Sequence, residues 1–310
     1  MALSVVETVV AEAATYNLTD LDTAHCELKI PDKDTSNDKW LSRAVTQASK
    51  AAQALCKQPL VVESVLNTID IEQDPYPYQT PGGVRPLQLS RFPLISVGTV
   101  LQTIALNTTQ TLVLGTDYRI DADAGQLIRL NPFTGVATTW EALPLSVPFV
   151  AGMGAVATES YTVASPSYQY TPKNAAQFSI DQGVVYASSG IALTPIASGA
   201  PTVGQYLVTI VTDSLGNRTG ATYQFAAADV NAAVNITYGY NDIEDDVIDA
   251  VLRLITARWS QRGRDAMLME ETTPQLGTKR YWVPDPSKAN GAISPEIQGL
   301  LDPYRVPSVA

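Results

Sequence analysis

Histidine, cysteine and charge are all scarce in this chain. Its 310 residues include one histidine, His25, and two cysteines, Cys26 and Cys56. A Ser–His–Asp or Cys–His centre would have to use that histidine. It falls mid-helix beside apolar positions, which marks it as a packed structural residue. Three regularly spaced zinc ligands cannot be assembled from His and Cys, and two cysteines build no disulfide scaffold. Free thiols in a reducing cytosol are expected. Charged residues make up 16%, with 20 basic against 31 acidic and a net charge of −11. Wrapping nucleic acid rests on clustered Lys and Arg, so this balance fits it poorly. No segment approaches the roughly 20 apolar residues of a membrane span. The opening "MALSVVETVVAEAATY" lacks a basic start, and Glu7 and Glu12 interrupt its apolar run. No signal peptide is expected, and the protein is read as soluble and made in a cytoplasm. "TPGGV" lacks the Lys and following helix of a phosphate loop.

What is present is apolar residue, at 45%, in a chain long enough for two domains. Residues 17–30 predict a helix capped by Thr19 and ended by Pro31. A second helix spans 37–57, with Trp40, Leu41, Ala44, Val45, Ala48, Ala52 and Leu55 on its apolar face. Short strands follow: "LVVESVLNTIDIEQ", "LQLSRFPLISVGTVLQ", "QTLVLGTDYRIDADAGQLIRL" with a turn at "DADAG", and "LPLSVPFV". Residues 74–86 read as a turn-rich loop.

Residues 151–233 have a different character. Charge almost vanishes, Gly, Ser, Thr, Ala and Tyr accumulate, and turn signals recur at short intervals. That pattern suits a small β-sandwich. "VNITYGY" resumes as a strand. "NDIEDDVIDAVLRLITARWSQRGR" then predicts a third helix, capped by Asn241 or Asp242, with its acids in the first turn and arginines toward its end. A long loop, "MEETTPQLGTKRYWVPDPSKANGA", precedes the last segment.

Two acidic motifs have plain readings. "DKDTSND" (32–38) fails as a calcium loop, because Asn37 stands where Gly is needed and Arg43 where the bidentate Glu belongs. It reads as a capping loop. "DIEDD" (242–246) reads as a helix start rather than a metal patch.

The chain closes on "ISPEIQGLLDPYRVPSVA". Ser294 is an N-cap and Pro295 fits the first helical position. A helix of one or two turns is unstable alone, so its apolar residues must dock on the chain's own body or on a partner.

The order of these segments resembles the head–tail connector (adaptor) proteins of tailed double-stranded DNA bacteriophages. The residues carrying it are "NDKWLSRAVTQASKAAQALCKQPL", "RFPLISVGTV", "GTDYRIDADAGQLIRL", "VNITYGY", "DVIDAVLRLITARW" and "ISPEIQGLLDPYRVP", over about two thirds of the chain. The departure is 151–233, an inserted block similar to a small β-module of phage virion proteins.

The resemblance implies an α+β fold. A helical bundle with short β-strands would form a connector domain over 1–150 and 234–310. An all-β, sandwich-like domain would be inserted over 151–233. It implies a dodecameric ring in the virion neck, bound to the portal protein on one side and a downstream tail or stopper protein on the other. Genomic DNA would pass through without being read. Portal-docking candidates are Ile297, Leu300, Leu301, Tyr304, Arg305 and Val306, with Tyr281, Trp282 and Val283 as a second contact. Arg253, Arg258 and Arg262 are ring-interface candidates. No cofactor, metal, membrane or enzymatic activity is expected. An acidic channel suits sliding DNA, since a basic lining would hold phosphates. A second reading makes the protein a tail or decoration protein whose β-domain binds a host-surface glycan or another virion protein. A third, a virion glycosidase, lacks any two acids singled out as a catalytic pair.

Overall fold

The structure is a computed structural model that describes residues 3–31, 33–71, 86–105, 108–215, 218–260, 262, 270–273, 277–280 and 294–306. The chain divides into two compact units: Met1–Thr15 with Leu60–Asp242, and Tyr16–Pro59 with Ile243–Ala310.

The first unit is built of strands. Leu3–Ala11, Glu63–Ile71, Leu145–Ala151, Val100–Ala105 and Thr108–Leu112 form one sheet in that order, with Leu94–Val97 also paired to Leu145–Ala151. Along Glu63–Ile71, Glu63, Val65, Asn67, Ile69 and Ile71 are buried and the residues between them are not, so one face of the strand meets the core. Register places Ile69 opposite Leu145 and Val65 opposite Phe149, and these residues share a core with Leu127 and Val147. Glu63 and Arg91 are buried within this unit. Arg91 pairs with both Glu63 and Glu7, and Glu63 also accepts the Ala13 N–H at 3.2 Å. Buried charges persist only when paired this way, and the cluster ties the first strand to its neighbour.

Two further sheets share an aromatic core. Gly154–Thr162, Ala233–Asn241 and Phe178–Tyr186 form one; Gln169–Tyr170, Arg218–Phe225, Gln205–Thr212 and Thr194–Ile196 form the other. Phe178, Tyr206, Tyr223, Phe225 and Tyr238 fill the space between them. Buried hydroxyls need partners, and the module's few carboxylates supply them. Asp181 accepts from Tyr206 and Tyr223, Glu159 from Tyr170 and Tyr238, and Asp229 from Tyr186. Asn241, expected as a helix cap, instead ends a strand and accepts the Val62 N–H at 2.8 Å. Gly152 sits at φ +131°, where a Cβ would lie 2.3 Å from the Val61 carbonyl oxygen; only glycine fits there.

Among the described residues the second unit holds four α-helices: α1 (Leu21–Glu27), α2 (Asp38–Cys56), α3 (Asp245–Ser260) and α4 (Pro295–Leu301). Helix α1 is shorter than expected and is capped by Asp20, whose side chain accepts the Thr23 N–H at 2.7 Å, rather than by Thr19. Asp34 caps a short 3-10 turn, as the capping-loop reading of 32–38 requires. Leu41, Ala44, Val45, Ala48, Ala52 and Leu55 are buried along α2. In α3 the buried residues are Val247, Ala250, Val251 and Ile255.

A helical bundle with short strands and an inserted β-domain is therefore the wrong fold class: residues 151–233 belong to the same compact unit as the six-stranded sheet. Among the described residues strand covers 40% and helix, 3-10 turns included, 24%. The turn residues that made the strands look short do not stop them pairing into one six-stranded sheet. Two of the four helices, α1 and α4, have only seven residues each. The N-terminal segment, whose apolar run Glu7 interrupts, is a nine-residue strand, and Glu7 is taken up by Arg91. Part of the expected long loop after α3 is a hairpin, Glu270–Thr273 with Gly277–Arg280. The loop read over 74–86 lies almost wholly outside the described residues.

Candidate docking surface

The C-terminal segment follows from its sequence. The Ser294 hydroxyl accepts the Ile297 N–H at 3.4 Å, and Pro295 occupies the first turn. Helix α4 packs on α2 and α3. Ile297 and Leu301 point into the core of this unit and are 5% and 0% exposed. Leu300, Tyr304 and Val306 are half-buried and Arg305 is exposed. The six docking candidates thus separate into two anchors and four residues with surface left for a partner.

Polar contacts hold the rest of the segment. Gln58 Nε2 donates to the Tyr304 carbonyl at 2.9 Å, and the Val306 N–H donates to the Cys56 carbonyl at 3.0 Å. The Tyr304 hydroxyl donates to Glu244 Oε2 at 2.6 Å. Burial, together with the bond and charge of Glu244, pushes the Tyr304 hydroxyl well above the usual tyrosine range. The Cys56 thiol lies 3.8 Å from the Leu301 carbonyl oxygen, and burial pushes it up to about 11.

The three arginines offered as ring contacts all have partners within this unit. Arg253 pairs with Asp249 on its own helix and with Glu296 of α4, and these bonds raise its pKa further. Arg258 donates to Gln47 at 2.8 Å. Arg262 donates to Asn37 and lies over both Trp40 and Trp259, 4.9 and 4.6 Å from the ring centroids. The two indoles meet edge-on at 5.4 Å. Tyr281, Trp282 and Val283 lie outside the described residues.

His25 is buried, with Nε2 2.8 Å from Asp38 Oδ1. That contact joins α1 to the start of α2. Both cysteines are free, Cys26 exposed and Cys56 buried. Among the described residues no group of three His, Cys, Asp or Glu could hold a metal ion, and no helix is long and apolar enough to cross a membrane.

The sequence reading missed one surface feature. Phe133 is 95% exposed, and Val113, Leu114 and Val136 are each more than half exposed. They stand on two loops joined by the Leu130 N–H donating to the Asp117 carbonyl at 2.8 Å. The signal was "NPFTG", a turn sequence that carries an aromatic residue.

No protein-family profile matches the chain, and no curated protein matches it. Among solved structures it is similar to a chain from a structure described as "Neck of empty GTA particle computed with C6 symmetry". Identity is 14% over 49% of this chain and 72% of that one, with a TM-score of 0.30.

Proposed function

We propose that this chain is a structural subunit of the neck of a tailed, phage-like particle. It forms a ring, a dodecamer in the family it resembles, that joins the portal protein to a downstream tail or stopper protein and lets genomic DNA pass. It is a virion protein made in the host cytoplasm, with no enzymatic activity and no cofactor of its own.

One observation carries this reading. Each motif of the resemblance falls on a regular element: α2, the strand Leu94–Val97, the hairpin Tyr118–Asp121 with Gln126–Arg129, the strand Ala233–Asn241, α3 and α4. The net charge of −11 fits a channel through which phosphates slide. Leu300, Tyr304, Arg305 and Val306 are the docking residues of this reading, because Ile297 and Leu301 are spent on holding α4 in place. Tyr and Arg are common interface anchors.

Light scattering on the full chain, alone and with its cognate portal protein, tests the proposal. The expected result is a portal complex containing twelve times the 33.2 kDa chain. A Leu300→Ser/Arg305→Glu variant should keep the fold and lose the portal. A full chain that stays monomeric with the portal present would sink the reading.

The second reading, β-module recognition of a glycan or another virion protein, has one observation in its favour. Ile191 and Val203 on that module are each about two-thirds exposed. Binding of the full chain to immobilised host-surface glycans would favour it.

A further inference from the structure

The Phe133 loop has a hydrogen-bonded backbone and an exposed side chain. Asn131 Oδ1 accepts the N–H groups of Phe133 and Thr134 at 2.9 and 3.2 Å. The Gly135 N–H donates to the Asn131 carbonyl, and the Asn131 N–H to the Val136 carbonyl, both at 2.8 Å. The neighbouring loop is fixed by Asp117, whose Oδ2 accepts the Val113 N–H at 2.8 Å and whose carbonyl accepts Arg129 Nη1 at 2.9 Å. A loop whose backbone is already hydrogen-bonded carries little backbone ordering cost into an interface, and fully desolvated aromatics are typical anchors.

The same chain carries a site of matching chemistry. A shallow, open cleft of about 350 Å³ in the helical unit is lined by Tyr16, Lys50, Ala54, Lys57 and Pro59, with Gln53 and Gln58. Lys50 lies on α2 and Lys57 is its C-cap residue, so seven residues, or two turns, place them on one side of the helix. The cleft therefore offers apolar walls and two ammonium groups. The face of a phenylalanine ring attracts cations, so the ring suits the rim as well as the walls. A projecting knob and a cleft on different patches of one chain make a heterologous contact, the kind that generates rings when the rotation closes.

We infer that the Phe133 tip of one copy seats in the Tyr16–Lys50–Lys57 cleft of the next copy and forms one subunit contact of the ring. The inference rests on the ring reading above and names a contact within it. The occupant of the cleft is a second copy of this chain, with Val136 packing beside Phe133.

The test mixes two single variants, Phe133→Cys and Ala54→Cys, each in a Cys26→Ser background, under mild oxidation. A disulfide-linked dimer should form in the mixture and in neither variant alone. Phe133→Ser should weaken self-association on the order of tenfold or more, as an anchor residue does. Its melting temperature should not change, since the side chain is already in water. A ring seen by light scattering, with no cross-link and with Phe133→Ser assembling like the parent, overturns this contact and leaves the ring standing. Loss of portal binding by Phe133→Ser with self-association intact also overturns it, by assigning the tip to the portal. Absence of any ring, with or without the portal, removes the ring reading and this inference together.

Discussion

The Tyr304 hydroxyl donates to the Glu244 carboxylate at 2.6 Å and so closes the C-terminal segment on the start of α3. The Glu244 backbone carbonyl accepts the N–H groups of Val247 and Ile248, so one residue both begins the helix and holds the tail. The acids at this helix start therefore do more than complement its dipole.

Tyr304→Phe removes that bond and little else. A hydrogen bond to a charged group contributes about 1.5–3 kcal/mol when well shielded, and its partial exposure here brings the expected cost to about 1 kcal/mol. Hydrogen exchange across 297–306 should accelerate about fivefold, because the segment opens locally before the unit unfolds. Unchanged exchange would show that the apolar anchors hold the segment without help.

Leu300 and Leu301 are adjacent and should behave differently. Leu301 is fully buried, so Leu301→Ala should cost about 2–5 kcal/mol. Leu300 is half-buried, and Leu300→Ala should cost less than about 1 kcal/mol. Urea denaturation of the two variants reads this difference directly. Equal costs would mean that α4 does not seat on Leu301.

The thiols should also separate. Cys26 is exposed, whereas Cys56 is buried and its pKa pushed up to about 11. The thiolate is the reactive form, so iodoacetamide at pH 8 should label one site per native chain, at Cys26, and two in denaturant. Native labelling of Cys56 would indicate that Val306 and Leu301 leave it readily.

The helices were legible because their signals are local. The apolar stripe of α2 and the Ser294–Pro295 start of α4 stand in the sequence as they stand in the fold. The extent of the sheet was not legible. Leu3–Ala11 is a strand because Glu63–Ile71 lies beside it, and Arg91, 84 residues from Glu7, neutralises the charge that interrupts its apolar run. Asn241 was misread for the same reason, since its partner, Val62, is 179 residues away. For the candidate site, residue types marked out the C-terminal segment but not which of its side chains face inward. Leu300 and Leu301 differ only by their position around a two-turn helix.

Glu159 should set part of the acid limit of stability. Burial raises its pKa, but hydrogen bonds from Tyr170, Tyr238 and the Lys173 N–H outweigh burial, and the net shift is downward. A carboxylate with a depressed folded-state pKa contributes stability that is present above its unfolded value, about 4.3, and is lost as pH falls through the folded value. Thermal melts should therefore show a loss below about pH 4.5 that Glu159→Gln reduces. Glu7, whose pKa is lowered by Arg91 and Ser90 against the effect of burial, acts in the same direction, so the loss should shrink and not vanish. Tyr238 works on the other side. Burial and its bond to Glu159 push it up to about 12, so its contribution is complete below pH 10 and is lost as pH rises through 12. Tyr238→Phe should reduce that alkaline loss and, by weakening the hold on Glu159 and bringing its folded pKa closer to the unfolded value, also shrink the acid loss. If Glu159→Gln and Tyr238→Phe each leave both limbs where they were, the tyrosine–carboxylate bonds do not couple protonation to the folding of the β-module.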